Sequence, residues 1–315
     1  MFQYIADLIV YGWIGMVEGE KLTNAVYFFV YDVMKILVLI FVVVSVIAFV
    51  RTFVDAGRLK KTMEKSRFGL GNFAASIFGA VTPFCSCSSI PIFIGFLKAR
   101  MPLGIAFSFL ITSPLVNEVA FVIMGGLFGW KLAAMYALAG ILLGVLGGLL
   151  IGALGMDKEI ILDKVKGRDL HSMVFKKFSN RLKYAASEGW KTFKKLAPYV
   201  LGGIAIGAGL HGYVPQEVFM NYVGKFDILA VPVAVLIGVP VYAGCSTVAP
   251  IIFSITAGGV PLGTSLALMM SVAGLSLPEA MILKRVMSFK LLGVFFGMVA
   301  VGIMLVGWGF NLFVI

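Results

Sequence analysis

Charged side chains are scarce in this sequence. They make up 13% of its 315 residues, against 60% hydrophobic, where a soluble domain carries about 25% charged residues. An ordinary soluble globular domain is thereby excluded. Histidine is nearly absent: His171 and His211, both in expected loops, offer no Cys/His spacing of the kind that holds zinc. Three cysteines, Cys85, Cys87 and Cys245, do not make a disulfide framework. No G-x-x-x-x-G-K-[ST] segment occurs, so ATP use would need a separate subunit. There is no haem-attachment motif, no C-x-x-C and no convergent His or Asp cluster, which argues against a membrane enzyme or electron carrier built on the Cys-Ser-Cys segment. No cofactor is expected. The opening residues, MFQYIADLIVYGWIGM, lack the basic start of a cleavable signal peptide. Residues 1–25 read instead as an interfacial segment, with Trp13 and the tyrosines at headgroup level.

What the sequence does have is apolar length. Mean hydropathy is +1.02. Runs near 20 residues recur, at 36–50 with its flanks, 132–154 and 291–315, and a helix of that length crosses about 30 Å of hydrocarbon. The expected class is an all-α, multi-pass integral membrane protein. The net charge of +11 reads as cytoplasmic loops obeying the positive-inside rule, not as nucleic-acid binding.

The chain also repeats itself. Pro91 falls on Pro250, an offset of 250 − 91 = 159. At that offset Met101-Pro102-Leu103-Gly104 covers Val260-Pro261-Leu262-Gly263, and Lys131-Leu132 covers Lys290-Leu291. The expected organisation is an N-terminal segment 1–25, a first transmembrane repeat 26–155, a basic linker 156–189 and a second repeat 190–315. Each repeat has a long apolar helix (26–50; 190–211), two short apolar pieces around a polar break (70–82 and 88–97; 229–241 and 247–257), a helix interrupted by proline (103–128 with Pro114; 262–287 with Pro278) and a closing helix (131–155; 290–314).

Charge sets the direction of each repeat. Loop 51–67 holds six Lys and Arg and loop 156–196 holds eleven, whereas 210–228, the counterpart of 51–67, holds only Lys225. The positive-inside rule is met if each pair of short pieces is a re-entrant hairpin, and if the two repeats have inverted topology. Each repeat then contributes three spanning helices and one hairpin, the tips meet near the midplane, and both termini lie outside. Count as additional spans is the other way to place the hairpins.

The breaks carry the chemistry. In TPFCSCSSIP (82–91) and YAGCSTVAP (242–250), prolines interrupt a helix, and irregular backbone at membrane depth is tolerated only inside protein or against a wet cavity. The structural breaks expected are at Pro83, Pro91, Pro114, Pro240, Pro250 and Pro278. Half-helix starts carry partial positive charge and free N–H groups and favour thiolate over thiol. Soft thiolates select soft ions. Cys85, Cys87 and Cys245 are thus candidate ligands for a soft metal or metalloid taken as substrate, such as As(III) or Cu(I), with Ser86, Ser88, Ser89, Ser246 and Thr247 beside them. The bland alternative is that each cysteine is a small inert hydrophobe and each serine bonds its own backbone.

Carboxylates within membrane helices often mark ion paths. Glu118, with its neighbour Asn117, and Glu279 are the ion-coupling candidates; the structural alternative is a carboxylate at an interface or on broken backbone. Asp32 and Lys35, one turn apart, read as a structural ion pair. Met269, Met270 and Met281 read as core filling, and Gly144, Gly147, Gly148 and Gly152 as a helix-packing face.

The stretches TPFCSCSSIPIFIGFLKARMPLGIAFSFLITSPLVNEVAF and GVPVYAGCSTVAPIIFSITAGGVPLGTSLALMMSVAGLSLPEAMILKRV resemble the signature of the permease family that includes the organoarsenical efflux permeases (ArsP-type). The resemblance covers most of residues 30–315. It implies a permease of the inner (cytoplasmic) cell membrane and, from characterised members, export of trivalent organoarsenicals such as methylarsenite, with Cys85, Cys87 and Cys245 as the substrate thiols.

The function expected is a secondary transporter exporting a small thiophilic solute by alternating access around the two tips. The alternative is a permease for a small inorganic or organic anion held at the half-helix N-termini, with the cysteines incidental. Expected partners are the small-molecule or ion substrate and the bilayer, with anionic lipid against the basic 156–196 loop; no nucleic acid is expected, and a homo-oligomer is left open.

Overall fold

The structure, a computed structural model, describes residues 2–17, 21–51, 69–82, 86–98, 101–161, 228–240, 245–313 and a set of helical positions between 178 and 201. The described residues are helical almost throughout, with one isolated β-bridge. The chain divides into two compact units, Met1–Val54 with Arg168–Pro215 and Asp55–Gly167 with Gln216–Ile315.

In the first unit, α1 (Phe2–Asp7) continues as a π-helical stretch, Leu8–Trp13, and packs on α2 (Lys21–Arg51). The rings of Tyr11, Tyr27 and Tyr31 stack in succession, with centroids 5.7 Å and 6.5 Å apart. Trp13 is 82% exposed, as an aromatic anchor at a membrane surface would be. The 31 residues of α2 reach about 46 Å at 1.5 Å per residue, beyond the expected 26–50. Phe49 meets Phe178 and Phe41 meets Trp190 edge-on, so the helical positions after 178 run antiparallel to α2. The side chains of Asp32 and Lys35, loop 51–67, most of linker 156–189, Lys225, His171 and His211 lie outside the described residues.

The second unit holds α3 (Leu70–Val81), α4 (Ser86–Lys98), α5 (Leu103–Leu115), α6 (Glu118–Phe128), α7 (Trp130–Ala153), a 3-10 turn (Met156–Glu159), α8 (Ala230–Gly238), α9 (Cys245–Ala257), α10 (Leu262–Gly274), α11 (Leu277–Leu283) and α12 (Phe289–Phe313). The 159-residue repeat reappears in the helix starts: α4 and α9, α5 and α10, α6 and α11, α7 and α12 begin at equivalent residues. It reappears in the packing too. α5 packs on α3 and α7 as α10 packs on α8 and α12, while α6 lies against α9 and α4 against α11.

Glycines let these helices touch backbone to backbone. A Cβ on Gly104 would lie 2.6 Å from the Gly148 carbonyl oxygen, and one on its equivalent, Gly263, would overlap the Gly307 carbonyl. The expectation of a packing face at Gly144, Gly147, Gly148 and Gly152 is met: Thr112, Ile111, Ser108 and Gly104 respectively fill the space beside them.

These contacts also set directions. Gly104 and Ser108 meet Gly148, Thr112 meets Gly144 and Val116 meets Gly140, so α5 and α7 are antiparallel. Gly147 meets Met298 and Gly302 meets Leu143, so α7 and α12 are antiparallel. Gly263 meets Gly307 and Asn311, so α10 runs opposite to α12 and therefore opposite to α5.

Among the described residues, helices Trp130–Ala153, Leu262–Leu283 and Phe289–Phe313 are long and apolar enough to cross a membrane, and α5 with α6, bent by 45°, passes the same test as a pair, a geometry that fits one broken span or a re-entrant loop. Three expectations about proline need correction; Pro250, the repeat equivalent of Pro91, lies inside α9 and does not break it. Pro91 does not break a helix: it lies inside α4, six positions from its start, where it deprives only the Cys87 carbonyl of an N–H. Pro278 does not mark the break in the second interrupted helix. The break falls upstream at Leu275 and Ser276, and Pro278 stands in the first turn of α11, where a missing N–H costs nothing. Pro114 lies within α5, with the break just after it at Val116 and Asn117.

Candidate functional site

The short helices turn back on themselves. The side chain of Asn72 donates to Ser108 Oγ at 2.9 Å, and Gly79 sits against Phe109, Thr112 and Ser113. α3 thus runs parallel to α5. Ser89 Oγ shares a hydrogen bond with Ser113 Oγ at 2.6 Å, and Phe93 packs against Phe107 with centroids 5.0 Å apart. α4 therefore runs back along α5. At 13 residues, α4 is about 20 Å long, too short to cross the hydrocarbon alone.

In the second half, Ser271 Oγ donates to the Val235 carbonyl at 2.7 Å, and Gly238 lies against Ser271 and Val272. The end of α8 is thereby fixed to the last turn of α10. The ends of α5 and α10 meet in turn: a Cβ on Gly274 would lie 2.8 Å from Leu115 Cδ2. The first turn of α4 and the last turn of α8 are thus each anchored within a few residues of one contact, Leu115 with Gly274.

At the first tip, Thr82 ends α3 in extended conformation, its Oγ1 donating to the Phe78 carbonyl at 2.7 Å. Pro83 and Cys85 lie outside the described residues. Ser86, Cys87 and Ser88 form the first turn of α4, and Cys245, Ser246 and Thr247 that of α9; their side chains, like that of Pro250 within α9, lie outside the described positions. Ser89 is fully buried. Pro240 lies in the turn after α8. A first helical turn leaves N–H groups without intrahelical partners, and Pro91 and Pro250 leave the Cys87 and Ser246 carbonyls likewise. Both half-helices therefore start with backbone groups that the helix itself does not bond.

The two carboxylate candidates differ in setting. Asn117 caps α6, its Oδ1 accepting from the Ala120 N–H at 2.7 Å, and Glu118 is exposed. Glu279 is 1% exposed in the first turn of α11. Met269 and Met270 are buried on α10, as core filling requires. Two residues were not anticipated. Ser113 holds the tip serine Ser89, and its signal was the hydroxyl pair Thr112-Ser113 before Pro114. Ser276 precedes α11, and its signal was the capping spacing Ser276-x-x-Glu279.

Fold and site together define a multi-pass helical membrane protein with paired broken helices. Residues 21–312 match a family described as "Predicted permease", and the chain belongs to that family, one of transport proteins and not of enzymes. It is similar to a Streptococcus mutans protein named "Putative two-component membrane permease complex subunit", 24% identical over 60% of this chain and 62% of that protein, so the match spans under two thirds of that relative. It is also similar to UPF0718 protein MJ0584 of Methanocaldococcus jannaschii, 22% identical over 77% of this chain and 85% of that one. UPF0718 protein YraQ of Escherichia coli is 25% identical over 79% and 70% respectively. No solved structure matches the chain.

Proposed function

We propose that this permease exports a small thiophilic solute across the cytoplasmic membrane, with trivalent organoarsenicals such as methylarsenite as the preferred class. One observation carries the reading. The half-helices that start at Ser86 and Cys245 are repeat equivalents, and their starts and the 83–85 segment between α3 and α4 hold all three cysteines of the chain. The anchoring of α4 and α8 around Leu115 and Gly274 supports convergence of Cys85, Cys87 and Cys245 with Ser86, Ser88, Ser89, Ser246 and Thr247 on one solute.

The opposite directions of α5 and α10, and of α7 and α12, support an inverted repeat (26–155 and 190–315). Antiparallel α3 and α4 support a re-entrant hairpin. The bridge between Ile160 and Met287 ties the start of the 156–196 loop to the turn carrying Lys284 and Arg285, which supports one basic, cytoplasmic face for anionic lipid. Alternating access then opens the tips to either side in turn. The name of the Streptococcus relative supports a second subunit as partner.

The test is binding of methylarsenite, arsenite and Cu(I) to the purified protein, beside a variant with Cys85, Cys87 and Cys245 all changed to Ala. Thiol-dependent binding is expected. Binding of small anions that ignores the triple substitution would instead favour the helix-start anion site.

A further inference from the structure

The closing helices of the two halves meet inside the span and again beyond it. Gly302 of α12 lies against Leu143 of α7, and Gly147 of α7 against Met298 of α12. Past the end of α7 the chain crosses α12's approach once more, in the antiparallel β-bridge between Ile160 and Met287. The Ile161 N–H donates to the Val286 carbonyl at 2.8 Å, and the Ser288 N–H to the Glu159 carbonyl at 2.9 Å. The bridge thus continues the antiparallel pairing of α7 with α12 in the same direction.

Both sides of the bridge are prepared by local sequence. Gly155, in the left-handed region at φ 60, turns the chain out of α7, and the 3-10 turn Met156–Glu159 packs against α12. Ile160 and Ile161 are β-branched and suit extended backbone. On the other side, α11 stops at Leu283, whereas its repeat equivalent α6 runs on to Phe128, the counterpart of Met287 at offset 159. The second half therefore gives up its last helical turn, and Val286 and Met287 from that turn do the pairing. Both are buried, at 2% and 0% exposure. Ser288 then caps α12, its Oγ accepting from the Leu291 N–H at 3.3 Å. Parting the bridge would break two backbone hydrogen bonds and open two buried apolar side chains to water, and both changes are unfavourable. The half-helices α4 and α9 are packed differently, on α5 and α10 and across the halves on α11 and α6.

We propose that the Ile160–Met287 bridge is a fixed staple between the two halves. It holds α7 and α12 together as one frame through the transport cycle, and the half-helices α4 and α9 move against that frame. The inference rests on the alternating-access reading above and names the part of the molecule that stays still.

The test uses full-length protein in lipid vesicles, with Ile160→Cys and Met287→Cys combined, beside the wild type. The two hydrogen bonds flank this pair, and Cα atoms of such a pair stand about 4.5 Å apart, a separation that a disulfide spans. Mild oxidation is expected to form the disulfide, read by mass spectrometry as a link between tryptic peptides 159–164 and 286–290. Methylarsenite flux is expected to be the same with the disulfide formed and after its reduction. Flux that is lost on oxidation and regained on reduction in the double variant, but not in the wild type, would overturn the proposal, as would a folded double variant that forms no disulfide. Hydrogen exchange of the wild type is a second reading that needs no solute. The Ile161 and Ser288 amides are expected to exchange as slowly as those within α7 and α12, and exchange at the rate of an open loop would overturn the staple. That result decides if the double variant does not fold or if oxidation stops the wild type as well. A wild type that moves no methylarsenite would count against the solute reading alone.

Discussion

Leu115 and Gly274 touch, and they are the same position of the repeat. A Cβ on Gly274 would stand 2.8 Å from Leu115 Cδ2, and the residues are 274 − 115 = 159 apart. Leu143 and Gly302, also 159 apart, touch as well. A side chain added at Gly274 therefore strikes the contact between the ends of α5 and α10. Gly274→Val is expected to destabilise the protein by about 1–3 kcal/mol through overpacking. Leu115→Ala in the same chain is expected to recover part of that loss, because the clash is with a side chain. Thermal unfolding of the two single variants and the double variant measures the coupling.

Backbone contacts leave no such relief. Gly104→Ala drives a methyl against the Gly148 carbonyl, whereas Gly126, on α6, has open space where its Cβ would stand. Gly104→Ala should lower the melting temperature. Gly126→Ala should leave it unchanged or raise it, by an amount corresponding to about 0.5–1 kcal/mol of helix preference. Equal losses from both would contradict the close approach of α5 and α7.

The Ser89–Ser113 bond ties the first tip to α5. Its repeat equivalents are Val248 and Val272, so α9 packs on α10 with no side-chain hydrogen bond possible at that pair. Ser113→Ala is expected to cost about 0.6 kcal/mol, the average for hydrogen bonds between membrane helices, and to weaken solute binding. Ser89→Ala combined with Ser113→Ala should cost less than the two single changes added together. Binding titrations on the three variants test this.

Asn117 caps α6, and Asn117→Ala is expected to cost about 1 kcal/mol. Asn117→Ser should retain most of the stability. The comparison is read from thermal unfolding of the purified variants.

Much of the fold was legible in the sequence because the repeat is a matter of local chemistry. Pro102 and Pro261 start α5 and α10 with nearly the same backbone angles, φ −52 and −53, so a conserved offset in prolines becomes a conserved offset in helix starts. Which proline ends a helix was not legible. Pro91 and Pro278 are tolerated early in their helices, where the missing N–H costs little. Nor did sequence separate Glu118 from Glu279. Both follow a break at similar spacing, and only packing leaves one exposed and buries the other. The Ser89–Ser113 bond joins residues 24 apart on different helices, so no local pattern announces it.

The most direct test of the thiol site is cysteine mapping by mass spectrometry after alkylation, with and without methylarsenite. The account predicts that the bound arsenical shields Cys245 together with Cys85 or Cys87, joining thiols from the two halves. Binding that leaves Cys245 as reactive as in the free protein, or shields one half only, would contradict it.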